Sequence, residues 1–461
     1  MSEEQEKVVK SNKKYEIDMC NGPLAGKLFM FAIPLMLSSI LQLLFNAADV
    51  VIVGKFAGSE SLAAVGSTSA LINLITNLFM GLGVGVNVSI AHYYGAKREK
   101  DINETVHTAV LLSLVTGVFL TVVGITMAKE FLKLMGSPAD VIDLAALYLR
   151  VYFCGMTSVM LYNFGSAILR AVGDTKRPLL YLLSAGVINV LFNLMFVIVF
   201  KMGVAGVALA TAISQTVSAV LVLRCLMKES GSLRLNLKQL HIYKDKLFSI
   251  IKIGLPAGIQ GTIFSLSNVV IQSAINSFAS VVMAGSAAAA NIEGFVYMSM
   301  NAFHQTALTF TGQNYGAGKL KRIDKITWLS LGMVTFTGVV FGNTVVFFGE
   351  QLLHIYSDSD VVVAEGLIRL VCVCAPYALC GIMEVLVGVL RGMNCAILPV
   401  IVSLLGACGL RLLWIATVFQ KYRSPRTLYL SYPISWFVTI CVHVICLLVV
   451  RHHIKKRLRA V

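Results

Sequence analysis

Charge is what this chain has least of. Asp, Glu, Lys and Arg make up 13% of its 461 residues, against about 25% in an ordinary soluble domain. Hydrophobic residues make up 57%, and the mean hydropathy is +0.80. A chain so poor in charge cannot present a soluble surface, which excludes the ordinary soluble enzyme or regulator. Proline is scarce as well, 9 residues against 37 glycines, so long helices meet few breaks and glycine lets them pack closely. The 10 cysteines show no ligand spacing, and Cys154, Cys372, Cys374 and Cys441 fall inside apolar runs. They read as small membrane-helix residues, not as a disulfide framework. A phosphate-cradling glycine loop followed by Lys and Ser or Thr is missing, which argues against transport driven directly by ATP. No metal-ligand spacing and no His–Glu or Ser–His arrangement points to an enzyme. Gly81–Gly85 reads GLGVG, but it lies inside an apolar run and suits helix packing or a bend. Residues 1–27 are polar and lack a signal-peptide pattern, so the first helix is expected to insert uncleaved.

What is present is a succession of twelve long apolar runs: 28–54, 62–90, 105–127, 141–169, 178–200, 204–227, 248–275, 281–311, 327–348, 361–390, 396–419 and 432–450. At about 1.5 Å per residue each can cross a hydrocarbon core of about 30 Å. The runs are continuous, not alternating, and backbone polarity in lipid then demands helices. The expectation is an all-α polytopic membrane protein. Its domains are a segment over 1–27, a six-helix lobe over 28–227, a linker over 228–247, a second lobe over 248–450 and a basic tail over 451–461.

The formal net charge is +15. Its distribution speaks for membrane orientation and not for nucleic acid. Alternate loops carry Lys97, Arg98 and Lys100; Arg170, Lys176 and Arg177; Lys228, Arg234, Lys238, Lys244 and Lys246; and Lys319, Lys321, Arg322 and Lys325. The tail adds Arg451, Lys455, Lys456, Arg457 and Arg459. Both termini are therefore expected in the cytoplasm, in a cell membrane; Lys421, Arg423 and Arg426 form a local exception.

The chain also repeats. YYGAKREKDI at Tyr93–Ile102 returns as NYGAGKLKRI at Asn314–Ile323, and an offset of 221 also takes Arg170 to Arg391 and Pro178 to Pro399. Pro34 and Asn46 match Pro256 and Asn268 at 222. Two copies of six helices share one orientation, so an axis along the membrane normal relates them and a central cavity is expected between the lobes.

Polar residues inside the runs are the candidate site. Asp49 comes first, because a carboxylate at membrane depth costs roughly 3 kcal/mol on insertion scales. It reads as an ion or proton acceptor, or as a carboxylate at a helix end wetted by headgroups. Asn189 and Asn193 share one helix face and either line a cavity or join helices. Thr211 is a weaker candidate, since its hydroxyl can satisfy its own backbone. Gln42 lies two turns before Asp49 on much the same face. The second half holds Asn268, Gln272, Glu293, His304, Gln305 and Glu384. Its carboxylates could meet a cationic cargo or a second proton, and His304 could titrate near neutrality or be a packing residue. Phe295, Tyr297, Met298 and Met300 offer adaptable apolar walls, or ordinary lipid-facing side chains. Arg170 and Arg391 fall at span ends, where snorkelling to headgroups is expected.

Together these residues resemble the multidrug and toxic compound extrusion family, and within it the MepA-type multidrug exporters most. The resemblance covers about 25–450 and rests on NAADVVIVGKFAGSESLAAVG (Asn46–Gly66), YYGAKR, LRAVGDTKRP, the later NYGAG and LRG segments, the asparagine pair and GVAGVALAT. It implies a V-shaped cavity between the lobes and export of organic cations and hydrophobic drugs by antiport against H⁺ or Na⁺. In that setting Asp49, Asn189, Asn193 and Thr211 form the ion-coupling network. Gln42, Asn268, Gln272, Glu293, Met298, His304 and Glu384 line the substrate cavity. No cofactor beyond the coupling ion and contact with membrane lipids are expected, and a monomer suffices because both lobes lie in one chain. The family's sodium-associated pattern in the second lobe is not matched: Asn268 stands at the acidic position of the seventh helix, and Cys380 precedes Glu384 by one turn in the tenth. The rival within the same superfamily is an exporter or flippase of lipid-linked or polysaccharide intermediates; rivals of other classes are a membrane scaffold or receptor, and an intramembrane enzyme.

Overall fold

The computed structural model describes residues 15–135 and 141–459. The polar leader as far as residue 14 and the last two residues of the basic tail lie outside that range. Among the described residues there is no strand. The principal helices are α1 (Ala25–Phe56), α2 (Ser59–Gly95), α3 (Glu99–Leu134), α4 (Ile142–Cys154), α5 (Met156–Ala171), α6 (Lys176–Leu194), α7 (Gly203–Lys228), α8 (Lys244–Ile275), α9 (Ser280–Gly316), α10 (Leu320–Phe347), α11 (Gly349–His354), α12 (Asp360–Cys374), α13 (Ala378–Gly392), α14 (Ile397–Ser403), α15 (Leu410–Ala416), α16 (Val418–Lys421) and α17 (Pro425–Arg459). Ten stretches are individually long and apolar enough to cross a membrane, and two bent pairs, α4–α5 and α12–α13, bring the described spans to twelve. Large apolar side chains such as Phe119, Leu191, Phe336 and Phe437 stand exposed, as a lipid environment allows. The protein is a multi-pass membrane protein.

The bends have local causes. The α4–α5 pair turns by 46° at Gly155, and α12–α13 by 42° across Ala375–Tyr377, where Pro376 cannot donate to the preceding turn. Gly155 and Pro376 are 221 residues apart, so the two halves break at the same register. The duplication is visible again in the loops. Lys97 and Gly318 both have positive φ, 56° and 70°, as do Gly173 and Asn394, 103° and 65°; each pair is again 221 apart. In all four the left-handed residue ends a helix by the same device. Arg98 N–H reaches Tyr93 O at 2.9 Å and Lys319 N–H reaches Asn314 O at 2.8 Å, while Asp174 and Cys395 N–H reach Leu169 and Leu390 O at 3.0 Å. These are Schellman-type bonds that satisfy the last free carbonyls of a helix.

The chain forms two compact units. The first comprises Leu37–Gly258 together with the segment ending at Met19, and the second comprises Cys20–Met36 with Ile259–Val461. Two of the boundaries therefore fall inside α1 and α8, and the third lies in the segment before α1. The first unit is cored by residues such as Leu149, Phe153, Met160, Phe164, Val222 and Leu226. Its residues 228–247 are tied to α3: Leu233 and Leu235 are buried, Asn236 N–H donates to His107 Nε2 at 3.1 Å, and Tyr243 N–H donates to Thr108 Oγ1 at 3.1 Å. The GLGVG run packs as a helix crossing. A Cβ on Gly81 would meet Gly258 N at 2.2 Å, and one on Gly85 would meet Ile250 O at 2.2 Å. Gly81 and Gly85 face Gly254 and Gly258, so small residues at i and i+4 on both α2 and α8 let the backbones touch. The second unit is cored by Met300, Phe303, Val334, Met383, Val389 and Tyr429.

Candidate functional site

In the first unit α1, α6 and α7 bring four of the expected residues together. Asn193 Nδ2 donates to Asp49 Oδ1 at 2.5 Å and to Asn189 Oδ1 at 3.2 Å. Asn189 Nδ2 donates to Thr211 Oγ1 at 3.3 Å. The Thr211 hydroxyl lies 3.0 Å from Val207 O and 3.4 Å from Asp49 Oδ2, and its one proton serves either. Asn189 and Asn193 are buried and Asp49 is half-buried. The helical spacing of the asparagines makes this possible, since residues four apart stack on one face. Directly after Asn193 the helix widens into a π-helical segment, Met195–Val199, a deformation common beside functional sites.

Two features give the site its chemistry. Every partner of Asp49 is neutral: among the described residues no Lys, Arg or His forms an ion pair with it. Asn193 Oδ1 is buried and accepts no hydrogen bond. A carboxylate without countercharge and an unused amide oxygen beside it make an oxygen-rich pocket suited to a proton or a small hard cation. Tyr148 and Tyr152 of α4, stacked with centroids 6.0 Å apart, lie within electrostatic reach of Asp49. The sequence did not single them out, because tyrosine is unremarkable in an apolar helix; their i, i+4 spacing was the available signal.

In the second unit Glu293 is held differently. Glu293 Oε2 accepts from Arg369 Nη2 at 2.9 Å and Nε at 3.2 Å, and its Oε1 accepts from Tyr377 Oη at 3.1 Å. Arg369 Nη1 donates to Ser286 Oγ at 2.8 Å, and its guanidinium lies 5.7 Å from the Tyr429 ring centroid. For Glu293 to meet a cationic cargo, this network has to open. Buried His304 donates from Nδ1 to Glu384 O at 2.7 Å, with Glu384 Oε2 at 3.4 Å. Arg391 does not snorkel as expected: it is 6% exposed and turns inward, where Gln260 Oε1 accepts from Nη2 at 2.7 Å. Met300 sits in the core at 1% exposure and is no cavity wall, whereas Phe295, Tyr297 and Met298 are half-buried. Gln42, Asn268 and Gln272 are exposed, and Gln272 Nε2 donates to Asn276 Oδ1 at 2.9 Å. Arg411, also unforeseen, is buried against the Tyr432 and Trp436 rings at 4.2 and 5.6 Å and donates to Ser435 Oγ at 2.9 Å. The carboxylates Asp101, Glu104 and Asp245 of the first unit approach one another, but Lys246 Nζ sits among them at 2.5, 3.5 and 2.6 Å.

The MatE family model matches residues 34–195 and again 256–416, two copies in the register of the internal repeat. The probable multidrug resistance protein YoeA of Bacillus subtilis is 26% identical over 422 residues, covering 89% of this chain and 90% of its own. The multidrug export protein MepA of Staphylococcus aureus is 21% identical over 371 residues, covering 80% of this chain and 82% of its own. Among solved structures, a multidrug resistance MATE family transporter of the MOP superfamily, in its outward-facing conformation, superposes with a TM-score of 0.89. That likeness covers 95% of this chain and 98% of the other at 22% identity, and it speaks for the fold alone. With the model matched once in each half, over five of that half's six spans, this chain belongs to the MatE family, the multidrug and toxic compound extrusion transporters.

Proposed function

We propose that this protein exports organic cations and hydrophobic drugs by antiport, driven by inward movement of H⁺ or Na⁺ through the Asp49 site. One observation carries the reading: Asp49 is surrounded by neutral donors, so its countercharge has to come from an exchangeable cation. The names of YoeA and MepA support the cargo class. Cation uptake neutralises Asp49, lets α1, α6 and α7 close around it and favours one packing of the first unit. Release leaves a bare carboxylate at membrane depth and favours the other. Asn193 Oδ1 and Thr211 Oγ1 complete the cation's oxygen shell. Cargo contacts are assigned to Gln42, Asn268, Gln272, Glu293, Met298, His304 and Glu384. The basic loops support a cell-membrane protein with both termini in the cytoplasm. Both halves lie in one chain, which supports a working monomer.

The test is ethidium efflux from proteoliposomes holding wild-type or Asp49→Asn protein, with H⁺ and Na⁺ gradients imposed separately. Efflux driven by one gradient and lost in the variant is expected, and names the ion. Gradient-driven efflux that survives in well-inserted Asp49→Asn protein would remove Asp49 from the mechanism. A wild-type protein that moves none of several cationic dyes under either gradient would favour lipid-linked cargo instead.

A further inference from the structure

Away from the Asp49 site, α10, α13 and α17 of the second unit leave a cleft. Ile323, Leu331, Leu386, Met393, Leu447 and Leu448 contribute its walls, and its polar lining is confined to Asp324, Thr327 and Arg451. Arg451 and Asp324 form an ion pair there. Trp328 joins the lining at 74% exposure. Exposed Lys321 and Lys325 lie one turn apart on α10, and exposed Lys455 lies one turn beyond Arg451 on α17. The ion pair does not use up the guanidinium: Arg451 Nε is buried and has no hydrogen-bond partner. Arg451 is thus the basic residue of the lining, and Lys321, Lys325 and Lys455 flank the lining residues in sequence on the same two helices, against the one carboxylate Asp324 in the lining.

We propose that this cleft binds an anionic phospholipid, one acyl chain along the apolar wall and the phosphate at Arg451 among the lysines. Charge complementarity sets the choice. A zwitterionic phospholipid offers the same chains but brings an ammonium group that the lysines repel, whereas a net negative head is attracted. Trp328 suits the headgroup level, where its amphipathic ring is at home. Asp324 then acts as a built-in competitor, holding one edge of the guanidinium that the phosphate would otherwise share.

That competition gives the test two directions. The chain has 3 tryptophans, so Trp328→Phe supplies the background from Trp414 and Trp436. Trp328 fluorescence is read in vesicles containing brominated phosphatidylglycerol or brominated phosphatidylcholine at equal mole fraction. Severalfold stronger quenching by the anionic lipid is expected. Arg451→Gln should erase the preference, and Asp324→Asn, which frees the guanidinium, should increase it. Equal quenching by the two lipids in the wild type overturns the proposal. So does a preference that moves the same way in both variants, since the pair would then be only a clasp between helices. Should Arg451→Gln fail to fold, the exposed triple Lys321→Gln, Lys325→Gln, Lys455→Gln should still cut the preference, and an unchanged preference there would also overturn it.

Discussion

A carboxylate inside a membrane helix has to be neutralised, and Glu293 and Asp49 meet that demand in opposite ways. Glu293 has Arg369 built in; Asp49 has only Asn193, Thr211 and, behind them, Asn189. Their substitutions should therefore separate stability from transport. Glu293→Gln leaves a buried guanidinium unpaired, a change of about 3–5 kcal/mol in buried pairs, and should lower the thermal midpoint in detergent well below that of Asp49→Asn. Asp49→Asn should melt near the wild type and carry no coupled transport. Glu293→Gln melting like the wild type would show that the Arg369 pair contributes little. Asn193→Ala removes a hydrogen bond to a charged group, worth about 1.5–3 kcal/mol. The ion gradient needed for half-maximal efflux should rise about 10- to 100-fold, and an unchanged requirement would take Asn193 out of the cation shell. Asp49 and the asparagine pair were legible in the sequence because each is expensive at membrane depth, whereas their joining with Thr211 in one network was implied by the family resemblance. Arg369 and Arg411 were not legible, because whether an arginine in a span is paired, stacked or wetted depends on residues 76 or 24 positions away. Arg391 was misread for the same reason: Gln260, which turns it inward, is 131 residues distant.

Helices in a bilayer are held by contact and not by exclusion from water, which makes small residues at crossings more consequential than large ones in the core. Gly81→Ala and Gly85→Ala each place a methyl within 2.2 Å of the α8 backbone. Helix displacement of this kind costs at least the 1–3 kcal/mol or so typical of overpacking. Gly83→Ala, on the same helix, meets nothing within 4 Å. The first two should reduce the yield of monodisperse protein and lower its melting midpoint, and the third should do neither. Equal behaviour of the three would deny the crossing its role. The crossing itself was half legible: GLGVG announced packing or a bend without naming the partner helix. The bends at Gly155 and Pro376 were less so, because a run such as 141–169 records apolar length and not direction. Pro376 is a recognisable helix breaker, whereas Gly155 is one glycine among 37.

At the scale of the whole molecule, duplication preserved the scaffold and let the chemistry diverge. Loop geometry and bends recur at 221, and for that reason the two six-helix halves could be read from landmarks such as YYGAK and NYGAG. The site does not recur: at the first-helix offset of 222 Asp49 maps to Ile271, and at 221 Asn193 maps to Trp414. With Asp49 as the coupling carboxylate, each cycle should carry a single monovalent cation inward. Exchange for ethidium, itself a monovalent cation, is then electroneutral. Its efflux rate should follow the H⁺ or Na⁺ gradient and ignore a membrane potential set with potassium and valinomycin. Exchange for an uncharged drug moves one net charge, so an inside-negative potential of about 100 mV adds roughly 2.3 kcal/mol. That free energy corresponds to about a 50-fold greater accumulation ratio at about 1.4 kcal/mol per tenfold. Ethidium efflux that accelerates with inside-negative potential would require a second inward charge. His304 and Glu384, in contact within the second unit, would be the pair to substitute next, with loss of the potential dependence identifying them as its carrier.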